Sequence, residues 1–228
     1  MTAANSLLGA AVAAAICVAA TPYLARLTLS VPDREDERWY RGRRAARNTI
    51  LFTAATAIVL GALAGAAAGW TALLPAYVAL ALAGTPLVVI DYEHHRLPNR
   101  LVYPQAVAAF VLLALAAALR SEWHDYLRAV EGAAASYAVL FALMFVSPKS
   151  FGWGDVRLGG ILGAYLGYVS WMAVYLGIFG GFVLGTVVAI SLLATGRADR
   201  KTPIAFGPML LLGALVVLSC DLTSSIGA

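Results

Sequence analysis

Two aspartates carry the chemistry this sequence offers. Asp91 closes an apolar run in "LVVIDYEHHRLPNRL", and Asp155 opens another in "FGWGDVRLGG". Two carboxylates brought together in a partly desolvated site cannot both ionise easily, so one holds a proton that the pair shares across a water. One can then activate water as general base while the other protonates a peptide carbonyl. Gly152 and Gly154 flank the second acid. They allow close backbone approach or positive φ, where a side chain would interfere. Pro98 is expected to end the helix that carries Asp91, with Leu97, Pro98 and Asn99 turning the chain at the membrane interface.

Other chemistries fit the same residues less well. A metal site could draw on Asp91, His94 and His95 if the helix continued, with Glu93 nearby. A catalytic zinc needs about three protein ligands and an open position. The sequence has no HExxH, and its third histidine, His124, is expected on the far side of the membrane. A non-enzymatic transporter or assembly protein is the other class, since intramembrane acids also serve ion relays. Relay acids belong near the middle of spans, whereas both aspartates sit at span ends, and no pair of broken segments in symmetric halves is visible. A lone aspartate at a span end is most often a solvated loop residue. The argument rests on two acids, one face and a glycine-flanked loop together.

The elements that must position these acids are membrane helices. Of 228 residues, 61% are hydrophobic and only 12% charged, too few charges for a soluble domain of this size. Apolar runs reach the roughly 18 to 20 residues that cross a bilayer. The expected fold class is all-α: a polytopic membrane helix bundle of about eight transmembrane helices with its N-terminus outside. The spans are read as about Ser6 to Tyr23, Thr49 to Gly69, Leu73 to Ile90, Leu101 to Leu119 and Ala129 to Val146, followed by a charge-free interval. That interval, Leu158 to Gly196, holds 39 residues. As one helix it would run roughly 58 Å, about twice the hydrocarbon thickness, so it must fold back, near Ser170. The last span is Ile204 to Cys220. Residues 1–48 are read as an anchor helix with a short charged loop, and 49–228 as the core. Cys17 and Cys220 lie near opposite ends of the chain and form no metal cluster.

Charge placement orients the bundle. No Lys or Arg precedes the first apolar run and a basic stretch follows it, the reverse of a secretory signal, so this segment reads as an uncleaved anchor. With the loop after it in the cytoplasm, fourteen of the sixteen Lys and Arg residues fall inside, and only Arg120 and Arg128 outside. Both aspartates then lie on the cytoplasmic face. Asp33, Glu35, Asp36 and Glu37 are crowded among arginines, while Glu122, Asp125 and Glu131 fall outside. The cations are topological anchors spread over several loops, which excludes a nucleic-acid partner. Gly61, Gly65 and Gly69 repeat at four-residue spacing, as do Gly177, Gly181 and Gly185, and read as close helix contacts.

"GWGD" followed by "VRLGGILGAYLG" resembles the GxGD signature of type IV prepilin peptidases, aspartic proteases of the bacterial inner membrane. "DYEHHRLPNRL" is similar to that family's other catalytic segment, and "TPIAFGPML" to its Pro-Phe-Gly-Pro segment. The resemblance implies that Asp91 and Asp155 are the catalytic pair, that Gly152 and Gly154 shape the loop, and that Phe206, Gly207 and Pro208 line the substrate cleft. It implies hydrolysis after the short basic leader of a prepilin or pseudopilin, at the cytoplasmic face, without a cofactor. Long members carry two CxxC pairs associated with N-methylation of the trimmed pilin. Here the equivalent loop, Ser30 to Asn48, has no cysteine, so the expectation is a short form without methyltransferase activity, resembling those that serve Flp-type pili. In that loop Trp39 and Tyr40 suit the headgroup level, and its arginines suit acidic lipid. Ala205 replaces the first proline of the third motif, and Arg157 stands where lysine is common.

Overall fold

The computed structural model describes residues 3–30, 44–146, 152–196 and 205–220. Within them lie eight helices: α1 (Ala3–Ser30), α2 (Arg47–Ala68), α3 (Leu74–His94), α4 (Asn99–Arg120), α5 (Trp123–Val146), α6 (Trp153–Val169), α7 (Trp171–Ala194) and α8 (Gly207–Ser219). There is no strand among the described residues. In hydrocarbon each backbone N–H and C=O must be satisfied within its own segment, and helices do this. Six of the eight, all but α6 and α8, are long and apolar enough to cross a membrane. The other two have 17 and 13 residues. Most of the charged Ser30–Asn48 loop lies outside the described residues.

The charge-free interval folds back at Ser170, as its length demanded. Ser170 is extended (φ −170°, ψ 164°) and both ends α6 and caps α7, its Oγ accepting the Ala173 N–H at 3.0 Å. Arg128 of α5 finishes the corner. Its guanidinium donates to the Gly167, Tyr168 and Val169 carbonyls at 2.7–2.8 Å, satisfying acceptors that the end of α6 leaves open.

Between α3 and α4 the structure departs from expectation. The helix bearing Asp91 stops at His94, not at Pro98. His95 takes a left-handed conformation (φ 50°, ψ 43°), and its N–H closes back onto the Asp91 carbonyl. Pro98 instead sits extended at the N-cap position of α4, where its missing N–H removes no helical bond. The turn from Leu97 to Asn99 is therefore the entry to α4.

Glycine sets the closest packing. Gly61 and Gly65 of α2 lie against Ala14 and Gly9 of α1, so a Cβ on either would meet backbone. Gly181 of α7 faces Leu210 and Gly213 of α8 in the same way, while Gly177 makes room for Leu166 and Gly185 for Phe206. α4 and α8 each pack against both α3 and α6, whose own backbones stay apart. At the end of that pair away from Asp91, Tyr165 Oη donates to the Ala76 carbonyl at 2.9 Å and accepts from Gln105 Nε2 at 3.3 Å.

Candidate active site

Asp91 lies in the last turn of α3 and Asp155 in the first turn of α6, and both look into one cavity of about 930 Å³. Their residues are only 5% and 9% exposed. The two acids are near enough for the charge of Asp91 to act on Asp155. Each is held by a backbone amide. The Gly207 N–H, at the start of α8, donates to Asp91 Oδ2 at 3.0 Å. The Gly152 N–H, at the N-cap of α6, donates to Asp155 Oδ2 at 3.0 Å, one half of a capping box. Neither Oδ1 has a partner among the described residues. Neither is sealed away, because Ser136 Oγ is the one fully buried side-chain polar atom without a partner among the described residues. The result is two nearly buried carboxylates with one oxygen pinned and one available to a water or a substrate group.

The other residues singled out in the sequence distribute unevenly. Gly152, Gly154, Pro98 and Asn99 line the same cavity. Gly152 has φ −93° and would keep ordinary clearance around a Cβ, with Asp155 Oδ2 nearest at 3.6 Å, so its contribution is its N–H. Gly154 is a close-approach glycine: a Cβ there would lie 2.6 Å from the Leu97 Cβ. Gly207 does not line the cavity wall, but a Cβ on it would stand 2.9 Å from Asp91 Oδ2. Phe206 turns away onto Phe182 of α7, ring centroids 5.0 Å apart, and Pro208 is buried in the first turn of α8. Neither borders this cavity.

His94 and His95 do border it, as does Glu93. Helix α3 ends between the two histidines, so they do not project with Asp91 as a set of ligands. Among the described residues no three His, Cys, Asp or Glu side chains converge to hold a metal ion.

Two features were not read from the sequence. Leu97, in the turn between α3 and α4, is wedged against Gly154 of α6 on one side and Gly207 of α8 on the other. The hydrophobic residue before Pro98 was visible, but nothing along the chain shows two glycines closing on it. Arg157 donates through Nη1 to Asn99 Oδ1 and lies over the Tyr103 ring, 5.2 Å from its centroid.

Residues 78–190, which include both aspartates, match the type IV leader peptidase family. The chain belongs to that family. Its relatives include curated proteins named prepilin leader peptidase/N-methyltransferase. The one from Stutzerimonas stutzeri is 33% identical over 132 residues, 57% of this chain and 44% of its own length. That from Aeromonas hydrophila is 30% identical over 180 residues, 75% of this chain and 55% of its own. The Bacillus subtilis (strain 168) protein is 28% identical over 145 residues, 63% and 54%. The chain therefore spans about half the length of the curated relatives it matches. No solved structure matches it significantly. Family and fold together make it a protease-family, multi-pass helical membrane protein.

Proposed function

We propose that this member of the type IV leader peptidase family is an aspartic endopeptidase that removes the short basic leader from prepilin or pseudopilin precursors. The observation that carries the reading is the shared cavity of Asp91 and Asp155, each with one oxygen held by a backbone N–H and one without a partner among the described residues. In the proposed reaction a water lies between the free oxygens. The ionised carboxylate takes its proton as oxygen attacks the scissile carbonyl, and the protonated carboxylate gives its own proton to the carbonyl oxygen. The pair titrates and works as a unit. The Gly152 and Gly207 amides hold the two carboxylates in place so that little reorganisation is needed at the moment of attack.

The distribution of Lys and Arg supports an N-terminus outside and a site facing the cytoplasm. There a leader can stay in water while the apolar helix that follows it lies in the bilayer. The stretch from Ser30 to Asn48 contains no cysteine, which supports peptidase activity without N-methylation of the product. The test is co-expression with a candidate precursor and single replacement Asp91→Asn or Asp155→Asn. Each change should stop the precursor's shift on a gel while the protein stays in the membrane at its normal level. Continued processing by either variant would defeat the assignment.

A further inference from the structure

The proposed reaction needs the two carboxylates at one separation, yet they stand on helices whose backbones do not pack together. Something must set the spacing at the cavity end of α3 and α6. At the far end the Tyr165–Ala76 bond does so. At the cavity end a side-chain-to-side-chain hydrogen bond runs from Arg157 Nη1 to Asn99 Oδ1. Arg157 is two residues beyond Asp155, and Asn99 is the first residue of α4, reached from Asp91 through the turn at His95 to Pro98. We propose that Arg157 is a positioning residue that braces α6 against the start of α4 and so sets the distance between Asp155 and Asp91.

The chemistry of the contact favours a brace over a loose surface cation. The guanidinium plane is held over Tyr103, one turn along α4 from Asn99, and stands 6.0 Å from the Trp153 ring centroid in its own helix. Its hydrogen-bonding partner is a neutral amide, and among the described residues no carboxylate pairs with it. A planar fork stacked on rings and bonded at one edge loses orientation freedom that a lysine ammonium would keep. Leu97, in the turn that follows α3, abuts Gly154 next to Asp155 and so resists compression, while the Arg157–Asn99 bond resists separation. The brace thus acts on geometry and makes no demand on substrate.

The inference rests on the peptidase reading, so the test has an arm that needs no activity. Full-length protein with Cys17 and Cys220 replaced by serine carries spin labels at Tyr92→Cys and Gly152→Cys, the latter a position with room for a side chain. Arg157→Met or Asn99→Ala should broaden or lengthen the measured distance, and Asn99→Asp, which keeps an acceptor in place, should not. In the activity arm Arg157→Met and Asn99→Ala should each lower kcat, on the order of tenfold or more for an ångström-scale misplacement, at unchanged KM. The double variant should be no slower than the worse single one, because both remove the same bond. A rise in KM at constant kcat, multiplying losses, or an unchanged label distance would each overturn the brace. If the wild type processes no precursor, or Asp91→Asn remains active, the peptidase reading fails while the distance arm still decides the brace.

Discussion

Gly207→Ala probes the placement of Asp91 without touching a carboxylate. The new Cβ would lie 2.9 Å from Asp91 Oδ2 and 3.2–3.3 Å from the two Leu97 methyls. A carbon and an oxygen rest about 3.3–3.6 Å apart, so the carboxylate must retreat by roughly half an ångström, and Leu97 blocks one way out. The bond from the Gly207 N–H, now 3.0 Å, would then stretch beyond hydrogen-bonding range. A hydrogen bond to a charged group contributes about 1.5–3 kcal/mol, and each 1.36 kcal/mol is about tenfold in rate. Processing should therefore fall on the order of 10- to 100-fold. Helix stability should not suffer, because alanine is the better helix former by up to about 1 kcal/mol. Gly180→Ala is the control, since nothing stands closer than 3.9 Å to a Cβ there. The assay is conversion of a precursor followed on a gel, normalised to the amount of variant in the membrane. Wild-type processing by Gly207→Ala, or an equal loss in Gly180→Ala, would refute the idea that α8 holds Asp91.

Three further outcomes are expected. Gly154→Ala should slow processing strongly because its Cβ would press on Leu97 at 2.6 Å, whereas Gly152→Ala should stay near wild type, its nearest neighbour being 3.6 Å away and its N–H retained; equal rates for the two would contradict the packing. Cleavage in detergent should survive EDTA, and a loss restored by zinc would favour the metal alternative built on Asp91, His94 and His95. Gly65→Ala should lower the thermal unfolding midpoint in detergent, because its Cβ would meet the Ala10 Cα at 2.7 Å and backbone yields little; overpacking of this kind costs about 1–3 kcal/mol, and an unmoved midpoint would show that α1 and α2 separate freely.

Much of the molecule was legible along the chain. The bilayer acts on each segment separately, so run length and missing charge sufficed to place helices and to demand a break near Ser170. The glycine repeats marked α2 and α7 as helices in close contact, without naming their partners. The two acids stood out because a carboxylate at the edge of an apolar run needs a reason to be there. These are local facts, and a sequence displays local facts.

The arrangement around those acids was decided elsewhere. That the amide of Gly207 reaches Asp91 across 116 positions depends on how α8 settles against α3. That Phe206 faces Phe182 depends on α7, and that Leu97 is gripped by two glycines depends on three elements arriving together. The end of α3 at His95 is subtler still, since Pro98 offered a stronger local signal for a stop, yet the left-handed turn closes three residues earlier. Contacts of this sort are short-range and steric between residues remote in the chain. Their energies exist only once the helices have met, which is why apolar pattern and residue type named the participants and tertiary packing chose their partners.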